Sequence, residues 1–327
     1  MSTAFILRFS ALGDVAMTIP IVYGVAGANP DIRFIYFTGK RFSDLFIDLP
    51  KNLEVIGLDS IHAVSVFRYM KKEIDRLNPI FVADLHNVGR TWLVDAYAML
   101  KGIKVVMVNK SRFSRQYCLT HKISQPTFID RYFKVFHKLD VINNDQIRPV
   151  RVNPGVPPIH ITGPAIGIAP FARYDTKIYP ISMTEEVISI LTSQNINVYL
   201  FGGRGEEQKL LESWASKFPN CTSVAGKFSL SKEMAIMASL QVLLSMDSSN
   251  QHICSLVGTK VITVWGATSP ICGFTPYMQT PDLGILSRIN CQPCSIAGSP
   301  KCPRNNFRCM NSIQPMKIAR KIINELY

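Results

Sequence analysis

No window of the 327-residue chain approaches the roughly 18 uninterrupted apolar residues that a membrane span requires. The first apolar run, Phe5 to Phe9, follows no positive segment and is interrupted by Arg8 and Asp14, which argues against a secretory signal. Nucleotide fingerprints are missing as well. Gly13 stands alone in its turn, so there is no G-x-G-x-x-G, and no Gly-Lys-Ser/Thr follows, so there is no P-loop. A Rossmann dehydrogenase is disfavoured on the same ground. Nucleic-acid binding is disfavoured because no helix-turn-helix, zinc-finger or RNP-type signature accompanies the basic residues. Acid is in short supply: 23 Asp and Glu face 36 Lys and Arg, a formal charge of +13, which calls for an anionic partner.

What is present begins at the start of the chain. Phe5 to Phe9 reads as a buried strand, Ser10 to Gly13 as a small-residue turn, and Val15, Ile19, Val22 and Tyr23 recur at helical spacing. Strand, glycine turn and helix is the geometry in which backbone N–H groups face a ligand. Asp14 falls at that helix start, where the macrodipole favours its ionised form and where it can accept a proton. The plain alternative is a capping aspartate.

Alternation of strand and helix continues over both halves of the chain, through strands at Phe34–Phe37, Val55–Leu58, Ile80–Asp84 and Val105–Val108. A Pro/Gly-rich break at Asn153–Pro158 reads as a linker, and the alternation then restarts at Ala165–Ile168. Two successive α/β halves predict two Rossmann-like domains. In the second half, three polar loops follow apolar strands: Gly202-Gly203-Arg204-Gly205-Glu206-Glu207, Met246-Asp247-Ser248-Ser249-Asn250-Gln251-His252, and Gly266-Ala267-Thr268-Ser269-Pro270. Loops at successive strand ends face one crevice, where N–H groups and hydroxyls converge on a diphosphate and carboxylates meet ribose hydroxyls.

Together these segments resemble glycosyltransferase family 9, the ADP-heptose:lipopolysaccharide heptosyltransferases. The matching stretches, in order, are Arg8–Val15, Asp84-Leu85-His86-Asn87, Ile168–Ala172 with Lys177 and Tyr179-Pro180, Phe201-Gly202-Gly203, Asp247-Ser248-Ser249 through His252, Gly266–Pro270, and Cys291-Gln292-Pro293-Cys294 with Cys309-Met310. Asp247-Ser248-Ser249 stands where family members often carry Asp-Thr-Gly or Asp-Ser-Gly. The resemblance implies a GT-B fold: an acceptor-side Rossmann-like domain over residues 1–158, a nucleotide-sugar-binding one over 159–312, and a C-terminal helix, 313–327, crossing back to the N-terminal domain. It further implies inverting transfer of a heptose or similar sugar from an ADP-linked donor to a lipopolysaccharide inner-core or lipid A-type acceptor. No metal or other cofactor is implied, in keeping with the absence of an Asp-x-Asp motif. Alternatives are a transferase using another nucleotide sugar and a non-catalytic nucleotide-sugar-binding protein.

By that resemblance Asp14 is the base and Lys177 neutralises the departing diphosphate. Gly13, Asp247, Ser248, Ser249 and His252 bind the donor, and one of Glu206 or Glu207 contacts the ribose. The basic stretch Lys101–Lys138, with Lys110, Arg112 and Arg115, is expected to face an anionic, lipid-linked acceptor, which implies a cytoplasmic enzyme peripheral to the inner face of the membrane. Cys291, Cys294, Cys302 and Cys309 carry one C-x-x-C but no second. Reduced thiols or a facultative disulfide are therefore expected over a structural zinc site.

Overall fold

The computed structural model describes residues 1–142 and 150–327, apart from the side chain of Arg112. The chain divides into two compact units, Met1–Ser111 with Thr127–Val152, and Arg112–Pro126 with Asn153–Tyr327.

The first unit alternates β1 (Ser2–Leu7), α1 (Leu12–Ala28), β2 (Ile32–Gly39), β3 (Leu53–Leu58), α2 (Ala63–Leu77), β4 (Phe81–Asp84), α3 (Gly89–Leu100) and β5 (Lys104–Met107). The next helix, α4 (Arg112–His121), groups with the second unit, and α5 (Phe128–Lys138) with the first. Five parallel strands lie in the order β3-β2-β1-β4-β5. Phe5, Leu7, Ile35, Phe37 and Val82 form the strand side of one core, and Val66, Met70, Val94 and Ala98 close it from α2 and α3.

The second unit continues with β6 (Ala165–Ala169), α6 (Ile181–Thr192), β7 (Asn197–Leu200), α7 (Glu206–Lys217), β8 (Cys221–Ser223), α8 (Leu230–Ala238), β9 (Val242–Met246), α9 (Ser249–Leu256), β10 (Lys260–Val264), β11 (Gly284–Ile285), α10 (Arg308–Asn311) and α11 (Pro315–Leu326). Its six parallel strands run β11-β10-β9-β6-β7-β8. Strands buried on both faces read as unbroken apolar runs, which is why they were legible at sequence level.

Both sheets reverse direction of growth once, between β1 and β4 in the first and between β6 and β9 in the second. In doubly wound folds such a switch point opens a crevice at the carboxyl ends of the flanking strands.

Residues 112–126 group with the second unit. Within that unit, Ile318, Ala319 and Ile322 form an apolar stripe buried in the core, and α11 packs on α6. Burial of that stripe, at about 25 cal/mol per Å² of apolar surface, seats the helix on α6.

Candidate functional site

In the first unit, the loops after β1 and β4 meet at the switch point. Asp14 is the third residue of α1, with its side chain 28% exposed, and its Oδ2 lies 2.5 Å from Nη2 of buried Arg8. The same oxygen accepts a long bond from the Ala11 N–H, 3.4 Å, so the capping role exists but is weak. Among the described residues Oδ1 accepts no hydrogen bond, which leaves it open to an incoming proton. Arg8 also donates through Nη1 to the Leu85 carbonyl at 2.7 Å, so one guanidinium ties the Asp14 turn to the β4 loop.

That β4 loop is organised by Asp84. Its Oδ1 accepts the N–H groups of His86 and Asn87 at 2.7 and 2.9 Å, and its Oδ2 accepts the Thr91 hydroxyl at 2.7 Å. Burial, reinforced by Arg8, Lys110 and Arg90, pushes the His86 imidazole down to about 2, so the ring is neutral. Its Nδ1 accepts the Phe9 N–H at 3.4 Å, and Nε2 stands 3.5 Å from the Ser10 hydroxyl. Beneath this loop lies a second buried carboxyl, Asp95 on α3. Burial first, then the neighbouring charge of Asp84, push Asp95 up to about 9. Neither of its oxygens has a hydrogen-bond partner among the described residues.

In the second unit, the loops after β6 and β9 meet in the same way. Lys177, 11% exposed, places Nζ 3.3 Å from Oδ2 of Asp247, 5% exposed. The carboxylate is fully engaged: Thr268 donates to Oδ2 at 2.6 Å and Gln251 to Oδ1 at 2.9 Å. Gln251 in turn accepts from Thr263 and lies 3.3 Å from His252 Nε2. Ser248 precedes α9, and Ser249 opens it, so that helix start sits beside the ion pair. The segment carrying Lys177 is clamped by backbone: Ala267 N–H donates to the Thr176 carbonyl at 2.9 Å. Only glycine fits beside that carbonyl at position 266, where an added Cβ would stand 2.3 Å from it.

Flanking Lys177 in sequence, Asp175 and Ile178 line a cavity of about 470 Å³ together with Phe171, Glu206, Glu207 and Phe307. That volume falls within the range of small-ligand sites. Glu207 is held by the Gly203 N–H at 2.6 Å, whereas Glu206 pairs with Lys209 and is almost fully exposed.

The remaining expected residues are dispersed. Gly13 lies on the first turn of α1. Lys110 lies in the first unit, Arg115 on α4 of the second with its guanidinium over Phe274 at 5.9 Å, and the Arg112 side chain lies outside the described residues. Cys291, Cys294, Cys302 and Cys309 are free thiols that line one small cavity with Thr176 and Ala267. Among the described residues no group of three His, Cys, Asp or Glu is placed to hold a metal ion. Residues that sequence reasoning left without a role are Arg8, Thr268, Gln251 and Asp95. Arg8, Gln251 and Thr268 sit inside the motif segments, a signal that was available; Asp95 on an apolar helix had none.

Two parallel-sheet α/β units, each with polar loops at its switch point, match the fold of GT-B glycosyltransferases. The family model of glycosyltransferase family 9 (heptosyltransferase) matches residues 92–302, and the chain belongs to that family. Solved structures agree in fold. E. coli heptosyltransferase WaaC with ADP is 16% identical over 99% of both chains, with a TM-score of 0.71. The family 9 glycosyl transferase from Veillonella parvula DSM 2008 is 15% identical over 99% of this chain and 97% of its own, with a TM-score of 0.74. E. coli ADP-heptose lps heptosyltransferase II is 14% identical over 100% and 98%, with a TM-score of 0.69. No curated protein matches by sequence.

Proposed function

We propose that this glycosyltransferase moves a heptose from an ADP-linked donor, with inversion and without a metal ion, to a lipid-linked lipopolysaccharide core-type acceptor. The observation that carries the reading is the buried Lys177–Asp247 pair at the second switch point, beside a nucleoside-sized cavity. E. coli WaaC is described with ADP and E. coli heptosyltransferase II as an ADP-heptose enzyme, which supports the choice of nucleotide.

In the reaction, an acceptor hydroxyl attacks the anomeric carbon as the bond from that carbon to the diphosphate oxygen breaks. Asp14 Oδ1 takes the hydroxyl proton, while Arg8 holds the other oxygen and fixes the direction of the carboxylate. The departing diphosphate gains negative charge, which Lys177 and the N–H groups at the α9 start stabilise. Asp247 acts through Lys177: its oxygens are spent on Thr268, Gln251 and the ammonium, so it positions the cation instead of meeting the donor itself. Ser248, Ser249 and His252 complete the phosphate side, and Glu207, already fixed by Gly203, is the better-placed carboxylate for the ribose, with Glu206 more exposed. The acceptor reading also entails contact with the anionic inner face of a membrane.

Thermal shift of the purified protein with ADP, GDP and UDP tests the donor. Saturating ADP is expected to stabilise by about 2.7 kcal/mol at a hundredfold excess over Kd. A shift with UDP or GDP and none with ADP would refute the assignment.

A further inference from the structure

We propose that α3 is a docking helix that lies in the interface of an anionic lipid surface; this rests on the lipid-linked acceptor reading above and names the element that makes the contact. A surface helix ordinarily buries its apolar stripe and turns charge to water. α3 turns apolar residues both ways. Thr91, Val94, Asp95 and Ala98 are buried, while Trp92, Leu93, Ala96, Met99 and Leu100 form an exposed stripe at i, i+1, i+4, i+7 and i+8. Leu100 is 86% exposed and Trp92 52%.

The charge around this stripe has one sign along the chain. From Leu85 to Ile129 the sole acid is Asp95, and it is buried beneath the stripe. Arg90 opens the helix, and Lys101 and Lys104 follow it; those two lysines also reach Asp75 and Asp140, both exposed. At about 1.5 Å per residue, 12 residues reach about 18 Å, too short to cross the roughly 30 Å hydrocarbon layer. An apolar stripe of that length with flanking cations suits the interfacial position, with Trp at headgroup depth. A second copy of the chain is the less favoured occupant, because pairing would bring together two bodies of +13. Anionic headgroups supply the complement that a second copy lacks. Trp92 also donates through Nε1 to Asn87 Oδ1 at 3.0 Å, so the stripe is tied to the switch-point loop that Asp84 organises.

The chain carries its own reporter. Of its three tryptophans, Trp214 and Trp265 are buried, so an environment-dependent emission change on docking comes from Trp92. The intact protein is mixed with phosphatidylcholine vesicles with and without phosphatidylglycerol, followed by co-sedimentation and by quenching with brominated acyl chains. Expected are binding to the phosphatidylglycerol vesicles, a blue shift and brominated-lipid quenching, and about a tenfold or greater loss of the bound fraction in Leu93→Glu/Leu100→Glu. Val156→Glu, an exposed apolar site in the second unit, is expected to bind like the parent. Sedimentation with anionic vesicles while Trp92 stays unshifted and unquenched overturns the assignment to α3 and leaves the lipid reading standing. No sedimentation with either vesicle overturns both. A dimer in lipid-free solution that the double Glu variant dissolves assigns the stripe to self-association and overturns the proposal.

Discussion

Replacing Asp247 with Asn keeps the side-chain volume and removes one charge from the buried cluster around Lys177. The carboxylate accepts from Thr268 at 2.6 Å, Gln251 at 2.9 Å and Lys177 at 3.3 Å. An amide retains one oxygen, so at least one of these donors loses its acceptor, and the Lys177 ammonium is left nearly buried without a counter-charge. Removing one partner of a buried pair costs about 3–5 kcal/mol, most of it the penalty on the stranded charge. At about 2–4 °C per kcal/mol for a unit of this size, the melting midpoint should fall by about 6–20 °C. Lys177→Met in the Asp247→Asn background removes that stranded charge. The double variant should therefore recover stability relative to Asp247→Asn while binding no ADP, because the cation for the diphosphate is gone. Differential scanning calorimetry with and without ADP measures both terms. Additive losses in the double variant, or an Asp247→Asn protein as stable as the parent, would refute the coupling.

Two further outcomes follow from titratable groups. Asp95 stays protonated in the fold up to about pH 9 but ionises near pH 4 when unfolded, so between those values the unfolded chain binds fewer protons and stability falls as pH rises. Melting midpoints from about pH 5 to about pH 9 should decline in the parent and be flatter in Asp95→Asn; parallel curves would contradict this. At Cys302 burial acts upward, but the N–H groups of Asn306, Phe307, Arg304 and Asn305 outweigh it and hold the thiol below its usual value, whereas burial pushes Cys272 up to about 12. Limiting iodoacetamide followed by peptide mass mapping should therefore label Cys302 well ahead of Cys272, and the reverse order would be decisive against it.

The strands and their loops were legible because parallel strands covered on both faces are unbroken apolar runs, as in Phe5–Leu7 or Val242–Leu244. Two helices of the first half were not. α4 and α5 lie within the basic stretch, where charge drew attention from a usable signal: Thr127 and Asp130 form a capping box ahead of buried Phe128, Tyr132, Val135 and Phe136. Residue types at the site were legible as motifs, but their partnerships were not. Lys177 and Asp247 are 70 positions apart and meet only because β6 and β9 are neighbours in the sheet. The apolar stripe of α11 announces burial but not the surface it packs on, which the fold supplies as α6.

The central claim is that Asp14 removes the acceptor proton. Single-turnover transfer by Asp14→Asn, with ADP-heptose and a lipid-linked core acceptor, tests it most directly. Arg8 loses its counter-charge in this variant, so rates are compared where both proteins are folded and bind ADP equally. The expected result is a rate lower by about 10²–10⁴-fold with ADP affinity unchanged, the loss typical of a positioned base. An Asp14→Asn enzyme that transfers at the parent's rate would contradict the account.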